Sequence, residues 1–209
     1  MFGNQNKKKL CRIAAAILAA AALLFWHYLL EPWGFYSNPV PEEKALRLQI
    51  VSAAQEYLGF READGSHKKI IDLYNSHEPL AVDYVVQYED SWCAAYVSAV
   101  AISQGHTDII PTECGCERQI GLWKDRGRWQ EKDSHIPQPG DLIYYDWEDS
   151  GNGDCTGWSD HVGMVVGVKW PFVKVIEGNK DDMVTYRILL ANSKSIRGFG
   201  LPDYYGKAF

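Results

Sequence analysis

An α+β domain behind an apolar N-terminal segment is the architecture the sequence predicts, and three observations predict it. Residues 13–30, IAAAILAAAALLFWHYLL, carry no formal charge. Between residues 42 and 105, apolar side chains recur at three- and four-residue spacing, the period of helices buried on one face. From Pro139 onward the pattern changes to short runs rich in Val, Ile, Tyr and Phe, punctuated by Gly and Pro, as in strands and turns. Helices first and strands afterwards favour helices packed on one face of an antiparallel sheet. The chain's 209 residues, 46% of them hydrophobic, suffice for one ordinary domain and a short extension.

The apolar run is at the short end of what crosses a bilayer, whose hydrocarbon core is about 30 Å thick. Lys7, Lys8, Lys9 and Arg12 are the only charges before Glu31, so the rest of the chain is more acidic than the formal net charge of -6 suggests. Basic residues ahead of the run predict a cytoplasmic segment 1–12, a transmembrane helix 13–30 and everything after it extracytoplasmic. A cleaved signal is the rival, because Ala19 to Ala22 offer small-residue sites, but the apolar run continues through Leu23 to Tyr28. Cys11 precedes the run and does not look like a lipid-attachment cysteine. An acidic body argues against nucleic acid as a partner, since clustered Lys and Arg are what recognise it.

Residues 31–41 hold three prolines and a glycine and read as an extended tether to a domain spanning 42–209. The segment 42–58, EEKALRLQIVSAAQEYL, predicts an amphipathic helix stopped by Gly59. A short helix is expected over Lys68 to Tyr74. A third, SWCAAYVSAVAISQG, takes Asp90 or Ser91 as N-cap and Gly105 as C-cap. The strands expected are DLIYYDW, HVGMVVGV, VKVIEGN, VTYRILL and IRGFGLP.

Cys93 falls in the first turn of the third helix, where unpaired backbone N–H groups and the positive end of the helix dipole favour a thiolate. A thiolate nucleophile needs a base. His161 stands where the loop SGNGDCTGWSD gives way to a strand, and the next strand ends in Glu177, Gly178 and Asn179, of which the carboxylate and the amide suit orienting an imidazole. If those strands form a hairpin turning at Trp170 and Pro171, His161 lies opposite roughly residues 179 to 181. The side chains share a face only if paired numbers sum to an even value such as 340, which requires an odd loop or a bulge.

Four ordered motifs, SWCAAYVSAVA, PGDLIYYDW, DHVGMVV and VIEGN, resemble the CHAP family, the cysteine, histidine-dependent amidohydrolases/peptidases of the papain-like superfamily. The resemblance covers about residues 46 to 202. It implies a papain-like fold and hydrolysis of amide bonds in peptidoglycan, at the sugar-to-alanine amide or within stem or bridge peptides. It also implies Cys93 as nucleophile, His161 as base, Glu177 as the group orienting the histidine and Asn179 as an assisting polar residue. Gln87, six residues before Cys93, is a candidate oxyanion donor by likeness to the wider superfamily, against the plainer reading of a solvated loop glutamine. Trp92 and Trp158, beside Cys93 and His161 in sequence, are candidates for lining the cleft.

No metal or cofactor is expected. Asp64 and Asp72 do not make the closely alternating acids of a calcium loop, and Asp146, Glu148, Asp149 and Asp154 read as a polar loop that could attract a cation. Cys114 and Cys116 find no second closely spaced Cys/His pair to complete a zinc site. Cys93, Cys114, Cys116 and Cys155 could form two bridges, or one bridge with two free thiols. His67, His77, His106 and His135 are assigned no role. The rival functions are a catalytically idle, membrane-tethered module that binds wall fragments or a partner, and a cysteine protease or transpeptidase acting on proteins.

Overall fold

The computed structural model describes residues 2–30, 32–131, 135–147 and 157–208. Cys155, Glu148, Asp149 and Asp154 lie outside them, so the disulfide and cation readings that involve those residues fall outside the described residues. The chain divides into two compact units, Met1–Trp33 and Gly34–Phe209. The first unit is helix α1, Phe2–Leu30. Its stretch Leu10–Tyr28 is long and apolar enough to cross a membrane, by length and composition.

The second unit is α+β. Its elements are α2 (Pro41–Gln55), α3 (Lys68–Asn75), α4 (Cys93–Gln104), α5 (Cys116–Asp125), β1 (Trp129–Glu131), β2 (Leu142–Tyr145), β3 (His161–Lys169), β4 (Phe172–Lys180), β5 (Met183–Leu190), β6 (Ile196–Gly200) and α6 (Tyr204–Ala208). The six strands form one antiparallel sheet in the order β1-β6-β2-β3-β4-β5. The helices at residues 41–55, 68–75 and 93–104 match the expected spacing, as do the five expected strands. Helix α5, strand β1 and helix α6 were not expected from the periodicity, because each is short and α5 carries a mixed polar sequence, CERQIGLWKD.

Helix α4 is the centre of the core. Cys93 through Ala101 are all buried, and α2, α3, α5, β3 and β4 pack around it. Small residues make this possible: Ala94, Ala95, Ala99 and Ala101 let five neighbours approach a helix that shows no polar face over its first turns. The sheet alternates as the pleat demands, with Leu142 and Tyr144 of β2 in the helix-side cluster and Ile143 and Tyr145 in the cluster on the other face. Gly105 closes α4 at φ +68°, as its C-cap position predicts. The N-terminus differs from expectation. Trp92 is the N-cap residue and makes no side-chain cap; Asp90 instead accepts the Gln87 N–H and the Tyr84 hydroxyl. The first N–H groups of α4 are therefore not capped by Asp90 or Ser91.

Strand β4 lies unusually close to the start of α4. A Cβ placed on Gly178 would stand 2.5 Å from Tyr96 Cβ and 2.9 Å from Trp92 Cζ3, so only glycine permits that approach. Gly178→Ala is expected to destabilise the domain by about 1–3 kcal/mol through overpacking, read as a fall in thermal midpoint of the full chain. Gly121→Ala in α5, where an added Cβ meets nothing within 4 Å, is expected to hold or raise it. Equal midpoints for the two variants would contradict this account of the packing.

Candidate active site

The β3–β4 hairpin decides whether the expected residues can meet. Near the turn, Lys169 pairs with Phe172, Val168 with Val173 and Gly167 with Lys174. The register then shifts between Val165 and Gly167, and Val165 pairs with Val175 and Met164 with Ile176. The bulge at Val166 thus converts a pairing sum of 341 into 340, the even value the site needs. It puts His161 and Glu177 on the same face, with Gly163 directly across from Glu177 when the register is continued. A side chain at Gly163 would collide with Glu177 Cγ at 2.7 Å. Its absence leaves the carboxylate free to lean diagonally toward His161, whose Nε2 lies 3.4 Å from Glu177 Oε2. At that separation the contact is ionic rather than an aligned hydrogen bond.

Glu177 has no exposed side-chain surface, and a buried carboxylate is costly unless paired. Its second partner is Arg187 on β5, whose Nε donates to Oε1 at 2.7 Å and Oε2 at 3.0 Å. The guanidinium also lies 4.7 Å from the Trp147 ring centroid, and Trp147 stacks on Tyr145 at 4.5 Å. Tyr145 in turn stacks on His161 at 5.9 Å. Burial works to raise the Glu177 carboxyl, but the nearby His161 and the hydrogen-bonded Arg187 outweigh that and hold it below the usual glutamate value. Arg187 and Trp147 were not read from the sequence as part of the site. Arg187 follows Glu177 by ten residues in a strand whose facing was unknown, and no local pattern marks it.

At the start of α4, Cys93 Sγ stands 3.5 Å from Cys116 Sγ in the first turn of α5. Both residues are buried. The Cys93 thiol is pulled well below its ordinary value, first by the hydrogen bond from Cys116 and then, against burial, by His161. His161 moves the other way. Burial disfavours its cation, yet the close contacts and negative charges of Cys93 and Glu177 overcome that and raise its pKa to about 9. A thiolate–imidazolium pair is the state this environment favours.

The remaining expected residues separate. Asn179 sits at φ +55° where the β4–β5 register shifts, so its visible contribution is to backbone conformation, in the left-handed region that Asn tolerates. Gln87 is exposed and donates its amide to the Val85 carbonyl at 2.6 Å, the bond of a locally folded loop. Trp92 corrects the cleft-lining expectation: it is fully buried, donates to Glu62 at 3.0 Å and packs 5.8 Å from His67, because its place before α4 faces the core. Trp158 is 77% exposed. A cavity of about 400 Å³ lined by Val82, Tyr84, Asp90, Ser91, Cys114 and Arg118 opens beside the chain segments that carry the two buried thiols. Among the described residues no cluster of three His, Cys, Asp or Glu could hold a metal.

With the geometry in view, comparison with known proteins points one way. No curated protein matches the chain. The crystal structure of Ly7917 is similar at 15% identity and a TM-score of 0.34, covering 75% of this chain and 61% of that one. This chain thus spans less than two thirds of that protein, and a likeness so slight carries no argument. The family model of the CHAP domain matches residues 83–179, a span that contains Cys93, His161, Glu177 and Asn179. The CHAP family is one of hydrolases, with amidase or peptidase activity on peptidoglycan in general. Residues 83–179 are thus similar to the CHAP domain family, and the match supports a CHAP domain over that part of the chain.

Proposed function

We propose that the protein is a peptidoglycan hydrolase that cleaves amide bonds by cysteine nucleophilic catalysis, as an N-acetylmuramoyl-L-alanine amidase or a stem or bridge endopeptidase. The observation that carries this reading is the ordered line of groups Arg187, Glu177, His161 and Cys93, which ends on a thiol favoured as thiolate at a helix N-terminus. The same reading takes the fold as papain-like. It takes segment 1–12 as cytoplasmic, 13–30 as the membrane span, 31–41 as tether and 42–209 as the extracytoplasmic catalytic domain. No metal or cofactor enters the chemistry, and tethering concentrates the enzyme on the wall.

In the mechanism that follows, the Cys93 thiolate attacks the carbonyl carbon of the scissile amide. The oxyanion forms at the N-terminal end of α4, where the Cys93 backbone N–H is positioned to stabilise it. His161 imidazolium gives its proton to the departing nitrogen, the C–N bond breaks, and an acyl-thioester on Cys93 remains. Neutral His161 then takes a proton from water as the water attacks the thioester; the acid product leaves and the thiolate–imidazolium pair is restored. Glu177 keeps the ring oriented and balances its charge. Asp90 and Arg118 give the neighbouring cavity both signs of charge, which suits peptides carrying free carboxylates and amines. Exposed Trp147, 6.4 Å from the His161 ring, and exposed Trp158, three residues before His161, are the aromatic side chains this reading assigns to sugar or peptide.

Three outcomes test this reading. Detergent-solubilised full-length protein is expected to release soluble fragments with new amine ends from purified peptidoglycan, and Cys93→Ala is expected to fall below about one thousandth of that rate. Cleavage of protein substrates with intact peptidoglycan left behind would replace the reading with the protease alternative. The kcat/KM profile is expected to be bell-shaped, falling above pH of about 9 as the His161 imidazolium deprotonates; a basic limb at pH 6 to 7 would argue against the ion pair. Arg187→Gln removes the cation that offsets burial of Glu177, so the carboxyl pKa rises and the acid limb should move up by about one unit. Its kcat is expected to fall about tenfold with little change in KM, and Arg187→Lys should recover part of both effects. A kcat loss without movement of the acid limb would reduce Arg187 to a structural role.

A further inference from the structure

The proposed chemistry uses one thiol, yet a second is built against it. Cys93 Sγ and Cys116 Sγ stand 3.5 Å apart, each buried and each in the first turn of its helix. The segment that presents Cys116 is anchored at several points. Glu113 Oε1 accepts the N–H groups of Cys114 and Gly115 and the Arg118 guanidinium. Ser98 of α4 donates its hydroxyl to the Glu113 carbonyl and accepts the Glu113 N–H. Gln119 donates to the Pro111 carbonyl and accepts the Tyr144 hydroxyl, joining α5 to β2. The second thiol is thus held in place by α4 and the sheet, and its position does not depend on a free loop.

We propose that Cys93 and Cys116 form a site of reversible oxidative modification, whose reagent is a hydroperoxide and whose product is a disulfide between them. This rests on the reading of Cys93 as a thiolate. The Cys93 thiolate attacks one peroxide oxygen and the O–O bond breaks. The departing hydroxide takes the His161 proton to become water, leaving Cys93 as a sulfenic acid. The Cys116 thiol then yields its proton to neutral His161 while its sulfur attacks the Cys93 sulfur. The S–O bond breaks, and the leaving hydroxide takes that proton to become a second water. Two thiols and one hydrogen peroxide become one disulfide and two waters, with two electrons passing from sulfur to oxygen.

The geometry favours each step. A disulfide closes at about 2.05 Å, so the sulfurs must approach by roughly a further 1.5 Å. The thiol that reacts first is the one held below its ordinary value by Cys116 and His161, and a thiolate with a resolving cysteine beside it is the arrangement that oxidants select. The nucleophile is silenced while the bond lasts. It is also protected, because resolution by Cys116 stops oxidation before the irreversible sulfinic acid.

The test is mass spectrometry of the full-length protein in detergent after hydrogen peroxide, alkylation of remaining thiols and digestion. A peptide pair joined through Cys93 and Cys116, about 2 Da lighter than the reduced pair and released by dithiothreitol, is expected. In Cys116→Ser the cross-link is lost and Cys93 is expected to proceed to a product about 32 Da heavier that dithiothreitol does not reverse. A bond from Cys93 to Cys114 or Cys155, a Cys114–Cys116 bond with Cys93 left free, or sulfinic acid forming on Cys93 in the unmutated protein as fast as in Cys116→Ser would each overturn the proposal. The readout needs no wall substrate. Hydrolysis of peptidoglycan without the cross-link would therefore remove this inference alone, and the cross-link in a protein inert toward peptidoglycan would remove only the proposed substrate.

Discussion

A carboxylate with no exposed side-chain surface is the constraint around which the site is arranged. Removing a charged group from water costs several kcal/mol unless partners replace the lost hydration, and Glu177 has two, Arg187 at 2.7 and 3.0 Å and His161 at 3.4 Å. Each partner comes from a different neighbouring strand. For the ion cluster to form, β4 must lie between β3 and β5 in the observed register, and Gly163 must have no side chain. The buried charge and the sheet order therefore support each other, and the histidine's orientation follows from both.

A second constraint comes from α4. A helix buried from Cys93 through Ala101 cannot turn its first residue toward solvent at will. Cys93 is thus held at a boundary, with the core behind it and the start of β3 before it. Burial alone would favour the neutral thiol. The nearby S–H donor Cys116 and the imidazolium reverse that preference, as a low-dielectric site does when charge and hydrogen bonding are supplied together. The preference for a thiolate at this position depends on three elements, since α4 carries the thiol, β3 the imidazole and α5 the second sulfur.

Several residues show how far local pattern reaches. Cys93, His161 and Glu177 could be picked out because each sits at the end of a strongly periodic element, and element ends are where functional side chains project from rigid structure. The parity argument for the β3–β4 hairpin was also available from residue numbers, and the bulge at Val166 satisfies it. Trp92 went the other way. Adjacency to Cys93 suggested a cleft, but a residue one position before a buried helix can face the core, where Glu62 takes its N–H. Asp90, a good N-cap by type, was claimed instead by Gln87 and Tyr84. Capping preference is worth only about 1 kcal/mol, and a local turn can outweigh it.

The amino-acid sequence by itself determined the apolar N-terminal helix, the α+β order of elements and three of the residues that meet in the site, because periodicity and element ends depend on neighbours along the chain. Tertiary structure alone decided that Arg187 would neutralise Glu177, that Trp147 would stand beside His161, and that Cys116 would face Cys93. Those pairings join residues on separate strands and helices. Their partners are selected by strand order, by a one-residue bulge and by the close approach that glycines allow, none of which leaves a local signature in the chain.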